Sequence, residues 1–214
     1  MWSPLDQMTR RGQADVLVVV AHPDDEALLC GATVACLAAG GARVRIACVG
    51  WGPPDRVELF AKSCVLLGAE AMGPAPSTMP ERGLVLDRRL VATIDELVRA
   101  RVPDVVITHS RSGPQHQDHG VVHDAVRLSM ARWQGPALVL AAEPPLSTTG
   151  FVPNVFVDVG DHFDVKLDVV AHYRKVVDRS YLDDDYLVHR ARWWGQVSGH
   201  PRRLCEAFEL VVWR

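Results

Sequence analysis

The sequence predicts an α/β architecture, a mostly parallel sheet with helices on both faces, and three observations predict it. Short runs of β-branched residues and leucine recur along the chain, apolar throughout rather than alternating, as strands buried on both faces require. Stretches with apolar residues at helical spacing lie between those runs. No repeat, low-complexity tract or linker-like change of composition divides the 214 residues, so 1–214 reads as one domain.

Val16 to Val20 is the first buried run. A helix is expected from about Glu26 to about Ala39, ended by the Gly40-Gly41 pair. Val44 to Val49 is the second strand. Val57, Phe60, Ala61, Cys64 and Leu67 repeat at helical spacing over Arg56 to Leu67 and stop at Gly68. Gly73 to Gly83, rich in Pro, Ser and Gly, reads as an exposed loop. A helix over Leu90 to Arg101 leads to a strand over Val105 to Thr108, and a helix over Val121 to Trp133 leads to a strand over Ala137 to Leu140. Val155 to Val159 is one more strand. Helices over Lys166 to Val177 and Tyr186 to Trp194, then a strand over Phe208 to Val212, complete the chain.

Hydrophobic residues make up 48% and charged residues 23%, a balance that suits a soluble globular chain with a full core. The net charge of -3 argues against a general nucleic-acid binder, since phosphate affinity rests on clustered Lys and Arg. Cys30, Cys36, Cys48, Cys64 and Cys205 are scattered, form no Cys-x-x-Cys pair, and read as reduced buried thiols. Met1 to Gln13 lacks the apolar stretch of a signal peptide. The uncharged run Ala27 to Ala42, broken by Gly31, Gly40 and Gly41, is short for a membrane span. A cytoplasmic protein without a membrane span is the expectation. The oligomeric state, homo-oligomer included, stays open.

In sheets of this kind, sites gather at the carboxyl ends of the strands. Two polar clusters fall there. The first strand runs into His22-Pro23-Asp24-Asp25-Glu26, and the strand ending at Thr108 runs into His109 to His119, which includes Gln115, His116, Gln117 and Asp118. A catalytic zinc takes three protein ligands and leaves one position to water, whose pKa it lowers toward ~7. A carboxylate must then take the water's proton, and an acid must protonate a leaving nitrogen. His22 and Asp25, three apart where a strand turns into a helix, can converge on a metal, with His119 as third ligand. Asp24 is then free to act as base, and His116 to act as acid or oxyanion stabiliser. The helix amino end near Glu26 favours ionised carboxylates by about 0.3–1 kcal/mol, while burial opposes it.

These residues carry a resemblance. His22-Pro23-Asp24-Asp25-Glu26 resembles the signature of the PIG-L/LmbE-like deacetylases, and His116-Gln117-Asp118-His119 resembles their second motif, His-x-Asp-His. Weaker echoes lie at Arg56 and Glu58, at Lys166 and His172, and at Glu206-Ala207-Phe208. The resemblance implies a Rossmann-like three-layer sandwich and zinc-dependent N-deacetylation of N-acetylglucosamine conjugates. It implies His22, Asp25 and His119 as Zn2+ ligands, Asp24 as base, and His116 as acid or oxyanion stabiliser oriented by Asp118. Where the family has a Thr-x-Gly-Glu-like turn, this chain has Cys48 to Pro54, so the pocket wall differs there.

Purely structural roles are open to the same residues. The Asp24-Asp25 pair is also a helix-cap pattern, with Asp25 the natural N-cap. Glu26 either orients a ligand histidine or is a first-turn helix carboxylate. Arg56 either grips a substrate hydroxyl or phosphate or opens an exposed helix. Trp51 is a candidate apolar face for a sugar ring. His109 either touches the site or is only hydrogen-bonded. Asp183 to Asp185 read as a solvated loop rather than a second metal site, and Trp193-Trp194 as core. The expected partner is a small N-acyl amino sugar conjugate, for which thiol biosynthesis, glycolipid assembly and antibiotic tailoring (a secondary-metabolism role) are open settings. An amidase for a thiol conjugate or a longer acyl chain is the alternative, and a catalytically silent sugar- or metal-binding homologue is another. A nucleotide-binding protein is disfavoured, because the first strand-helix turn lacks Gly-x-Gly-x-x-Gly and carries carboxylates where a pyrophosphate would sit.

Overall fold

A computed structural model describes residues 14–73, 82–112, 116–132, 138–146 and 150–213. The chain order is β1 (Asp15–Val20), α1 (Asp25–Ala39), β2 (Arg43–Cys48), α2 (Pro54–Leu66), β3 (Glu70–Met72), α3 (Arg88–Ala100), β4 (Val105–His109), α4 (Gln117–Arg132), β5 (Leu138–Ala142), β6 (Val155–Asp158), α5 (Phe163–Tyr173), α6 (Asp184–Val197) and β7 (Cys205–Trp213). The seven strands form one sheet in the order β3-β2-β1-β4-β5-β7-β6. Strands β1 to β5 pair in parallel, whereas β7 runs antiparallel to both β5 and β6. The α/β fold with a mostly parallel sheet is therefore as expected.

The apolar run of β1 explains the three layers. Successive strand residues point to opposite faces. Val16, Val18 and Val20 join one core with α1, α2, α5 and α6, while Leu17, Val19 and Ala21 join a second core with α3 and α4. Both faces are covered, so neither set of side chains needs to be polar.

The topology positions the site. From β1 the chain passes to β2 on one side, and β4 later fills the other side, with Val16 beside Val105 and Val18 beside Ile107. Beyond the carboxyl ends of β1 and β4 lies the crevice where connections diverge, and both histidine clusters open into it.

Several boundaries differ from expectation. α4 begins at Gln117, not Val121, so Asp118 and His119 ride on its first turn. β3 was not expected, being three residues at the sheet edge without an apolar run. β7 starts at Cys205, three residues before the expected Phe208. Asp183 is no loose loop residue: its carboxylate accepts the Asp185 N–H at 2.8 Å and caps α6. Trp193 is 58% exposed rather than core, while Trp194 is half-buried and donates its indole N–H to Glu143. None of the five cysteines forms a disulfide. Among the described residues no helix is long and apolar enough to cross a membrane. The expectations for Met1 to Gln13, for most of the 73–83 loop, for Gln115, and for Trp133 and Ala137 lie outside the described residues.

Candidate active site

The turn after β1 is held in an unusual conformation. Asp24 has φ +116°, the one positive value at a non-glycine residue among those described, a strained backbone for an L residue. Its neighbours hold it there. The Asp24 N–H donates to Glu26 Oε2 at 3.0 Å, and Arg56 Nη2 donates to both Asp24 Oδ2 and the Pro23 carbonyl at 2.6 Å. Glu26, fully buried, takes the Tyr173 hydroxyl on its other oxygen at 2.7 Å. Asp24, not Asp25, is the N-cap of α1, and its side chain makes no cap bond. The cap reading of the pair is thereby corrected: the Asp24 carboxylate is turned to Arg56 and the cleft. Asp25 instead accepts the His22 N–H on Oδ2 at 2.8 Å.

The second cluster closes on the first. His119 Nε2 lies 3.3 Å from Asp25 Oδ1. His22 Nε2 lies 2.9 Å from Asp118 Oδ2, and Asp118 also receives the Gly83 and Leu84 N–H groups at 3.1 and 3.0 Å. Sharing its Nε2 proton with Asp118 leaves His22 a free lone pair on Nδ1. Asp118 was expected to orient His116. Its shortest side-chain contact is with His22, and His116 Nδ1 stands 3.5 Å from the same carboxylate oxygen. His116 Nδ1 accepts the Asp118 N–H at 3.3 Å, which leaves its own proton on Nε2. His109 does touch the site. It accepts the Ala21 N–H on Nε2 at 2.9 Å and stacks on His119, the ring centres 4.1 Å apart.

Charge follows from burial and these neighbours. Burial pushes the Asp24 carboxyl well above the usual range, the adjacent Asp25 charge adds to this, and Arg56 opposes it. Burial also disfavours an ionised Asp25, but the His119 and His109 imidazoles outweigh it and hold that carboxyl far below the usual range. Burial lowers His22 and His109, the latter strongly. For His119 burial is outweighed by Asp25, and the net shift is upward. Burial raises Glu26.

Three donor atoms from His22, Asp25 and His119 lie within 4.8 Å of one another. A second set of the same span, His22, His116 and Asp118, is less suited to a metal, since Asp118 is already occupied by two backbone N–H groups. Two imidazoles and one carboxylate, opening on a cleft, fit a divalent metal that keeps a position free. The cleft encloses about 230 Å³ and is lined by these groups together with Asp24, His116, Arg56, Arg82, Arg179 and Tyr181.

The family model for PIG-L, described as GlcNAc-PI de-N-acetylase, matches residues 17–130, more than half of the chain and both motifs. This chain belongs to the PIG-L family. An uncharacterised deacetylase of Escherichia coli (strain K12), YaiS, is 27% identical over 170 residues, covering 74% of this chain and 90% of that protein. The fold is shared with the N,N'-diacetylchitobiose deacetylase of Pyrococcus horikoshii (TM-score 0.71, 18% identity, 97% of this chain and 88% of that one). It is shared equally with GalB, the 4-carboxy-2-hydroxymuconate hydratase of Pseudomonas putida KT2440 (TM-score 0.76, 19% identity, 94% and 98%). At such identities the likeness concerns the fold, which serves more than one chemistry.

Within this PIG-L member the remaining expected residues divide. Arg56 lines the cleft. Trp51 does not: it is buried edge-to-face on Phe60, ring centres 5.9 Å apart. Glu26 reaches no ligand histidine and holds Asp24 instead. His172 is exposed and bonds the Asp168 carbonyl; the next residue, Tyr173, is the one that reaches the site. Tyr173, Arg82 and Arg179 escaped the sequence reading, because a lone tyrosine or arginine at a helix end or in a loop carries no spacing signal.

Proposed function

We propose that this chain is a zinc-dependent N-deacetylase that removes the acetyl group from the nitrogen of an amino sugar conjugate. The observation that carries the reading is the convergence of His22, Asp25 and His119 beside an Asp24 held against Arg56. His22, Asp25 and His119 would hold Zn2+, which lowers the pKa of a coordinated water toward ~7 and polarises a carbonyl.

The chain's own groups supply the rest. Asp24 takes a proton from the attacking water, a role suited to a carboxyl that burial holds well above the usual carboxylate range. Arg56 keeps that carboxylate aimed. The new C–O bond forms at the amide carbon, and the His116 Nε2–H donates to the developing oxyanion. As the C–N bond breaks, a proton from His116 or from Asp24 passes to the nitrogen, giving acetate and a free amine. Asp118 fixes the His22 ring, and Arg82 and Arg179 offer donors to the hydroxyls or an acidic group of the acceptor.

The test is release of acetate from a panel of N-acetylglucosaminides by zinc-loaded protein, with Asp24→Ala as the blank. We expect release from one scaffold and none in the blank. Silence from fully metallated protein across the panel would rule out N-acetylglucosaminides and turn the search to thiol-conjugate amides and longer acyl chains. Product formation by Asp24→Ala at the parent rate would overturn the mechanism.

A further inference from the structure

α1 is a single run in the chain order but two helical pieces in geometry. At Cys30 the backbone leaves the helical region (φ -150°, ψ 22°). In a regular helix the Ala32 N–H would meet the Leu28 carbonyl and the Thr33 N–H the Leu29 carbonyl. Here Glu206 of β7 takes the Thr33 N–H at 2.8 Å and, more weakly, the Ala32 N–H at 3.4 Å. Lys166 of α5 donates to the Leu28 carbonyl at 2.7 Å and to Glu206 Oε1 at 2.6 Å. The ion pair is thus spliced into the break, its anion on donors of the second piece and its cation on an acceptor of the first.

The pair is buried, with both residues 5% exposed. An isolated buried pair of this kind is weak evidence for stability, because desolvation cancels much of the attraction. Its placement gives it another use. The piece of α1 before the break begins at Asp25, carries Glu26 and is capped by Asp24. Two turns beyond Lys166 on α5, Tyr173 bonds Glu26, so α5 grips this short piece at both ends. We infer that Lys166 and Glu206 are positioning residues, which fix the first turn of α1 against the sheet and so set Asp24 and Asp25 relative to His119. This rests on the reading of Asp24 as base and Asp25 as ligand.

The experiment compares Lys166→Met, Glu206→Gln and the milder Glu206→Asp with the parent protein, reading zinc affinity, kcat, KM and melting temperature. Asp25→Ala serves as the binding-defective control. A carboxylate displaced by a fraction of an ångström predicts about tenfold weaker zinc binding. It also predicts kcat lower by about ten- to a hundredfold, with KM within twofold. A lower melting temperature with zinc affinity and kcat unchanged in the folded protein overturns the inference and leaves the pair a structural one. Should Lys166→Met or Glu206→Gln fail to fold, Glu206→Asp decides: it retains the charge and shortens the reach, and parent-like zinc affinity in it overturns the inference. Zinc affinity needs no substrate, so this outcome is separable from failure of the deacetylase reading. In that failure Asp25→Ala binds zinc as the parent does, or no amide turns over.

Discussion

At the end of β1, Asp24, Asp25 and Glu26 are at most 6% exposed, and each carboxylate is fixed by a backbone N–H or by Arg56. At the end of β4 the arrangement is divided. Asp118 and His119 are buried on the first turn of α4, but the His116 side chain, one residue before that helix, retains 39% of its exposure. The carboxylates beside the proposed metal donors are each held by at least one hydrogen bond, and His116, which the proposed mechanism turns to the substrate, is left on the solvent side. Rigid support on one side and freedom on the other is what preorganised hydrolysis asks of a site.

The largest predicted effect breaks the locked side. His22, His109 and His119 all approach the Asp25 carboxylate within 3.6 Å. Asp25→Ala should weaken zinc binding by at least about a hundredfold and reduce turnover to background; stoichiometric zinc retained after dialysis would sink the proposed donor set. Asp24→Asn removes the base but none of the three donors. Its kcat should fall about 10²- to 10⁴-fold, with zinc content unchanged by metal analysis, and loss of the metal would show that Asp24 is itself a ligand.

His116→Gln probes the freer side. The ring accepts one backbone N–H and stands 4.9 Å, centre to centre, from that of His22. We predict a kcat about 10²-fold lower, with KM and zinc affinity near parent values. A His116→Gln loss that vanishes when Asp24→Asn is already present would mean that the two residues act in one proton transfer, so that the two sides are not independent.

The sequence made much of this legible, for identifiable reasons. The run Val16 to Val20 can be buried on both faces only in a covered parallel sheet, so β1 and its layer follow directly. The convergence of His22, Asp25 and His119 was legible because divalent-metal chemistry limits the residue types and the strand ends limit the places. The strand order was not, since it depends on which face each connection takes. The left-handed backbone of Asp24 was equally hidden: Pro-Asp-Asp-Glu reads as an ordinary helix start until Arg56 and Glu26 are seen to hold it. His109 looked like any strand-end histidine, and only the pairing of β4 with β1 brings its ring to the Ala21 N–H.

The Tyr173 hydroxyl reaches Asp24 only through Glu26, so its removal should have the smallest effect. Tyr173→Phe removes one hydroxyl, whose partner is Glu26 Oε1 at 2.7 Å in a fully buried position. One buried carboxylate oxygen then loses its donor, at a cost of about 1–3 kcal/mol, which in a chain of this size lowers the melting temperature by roughly 2–4 °C per kcal/mol. If Glu26 does no more than fill the interior, the loss ends there. If it holds the strained Asp24 backbone through its other oxygen, the freed carboxylate can rotate, and Asp24 relaxes out of its left-handed conformation in part of the population. The prediction is therefore a fall in melting temperature together with a kcat reduced about three- to tenfold, equivalent to roughly 0.7–1.4 kcal/mol. KM and zinc affinity should stay unchanged. Glu26→Gln retains an acceptor for the Asp24 N–H and should keep more activity than Glu26→Ala. A Tyr173→Phe protein that melts early but turns over at the parent rate would separate Glu26 from the base and leave Arg56 alone to aim it.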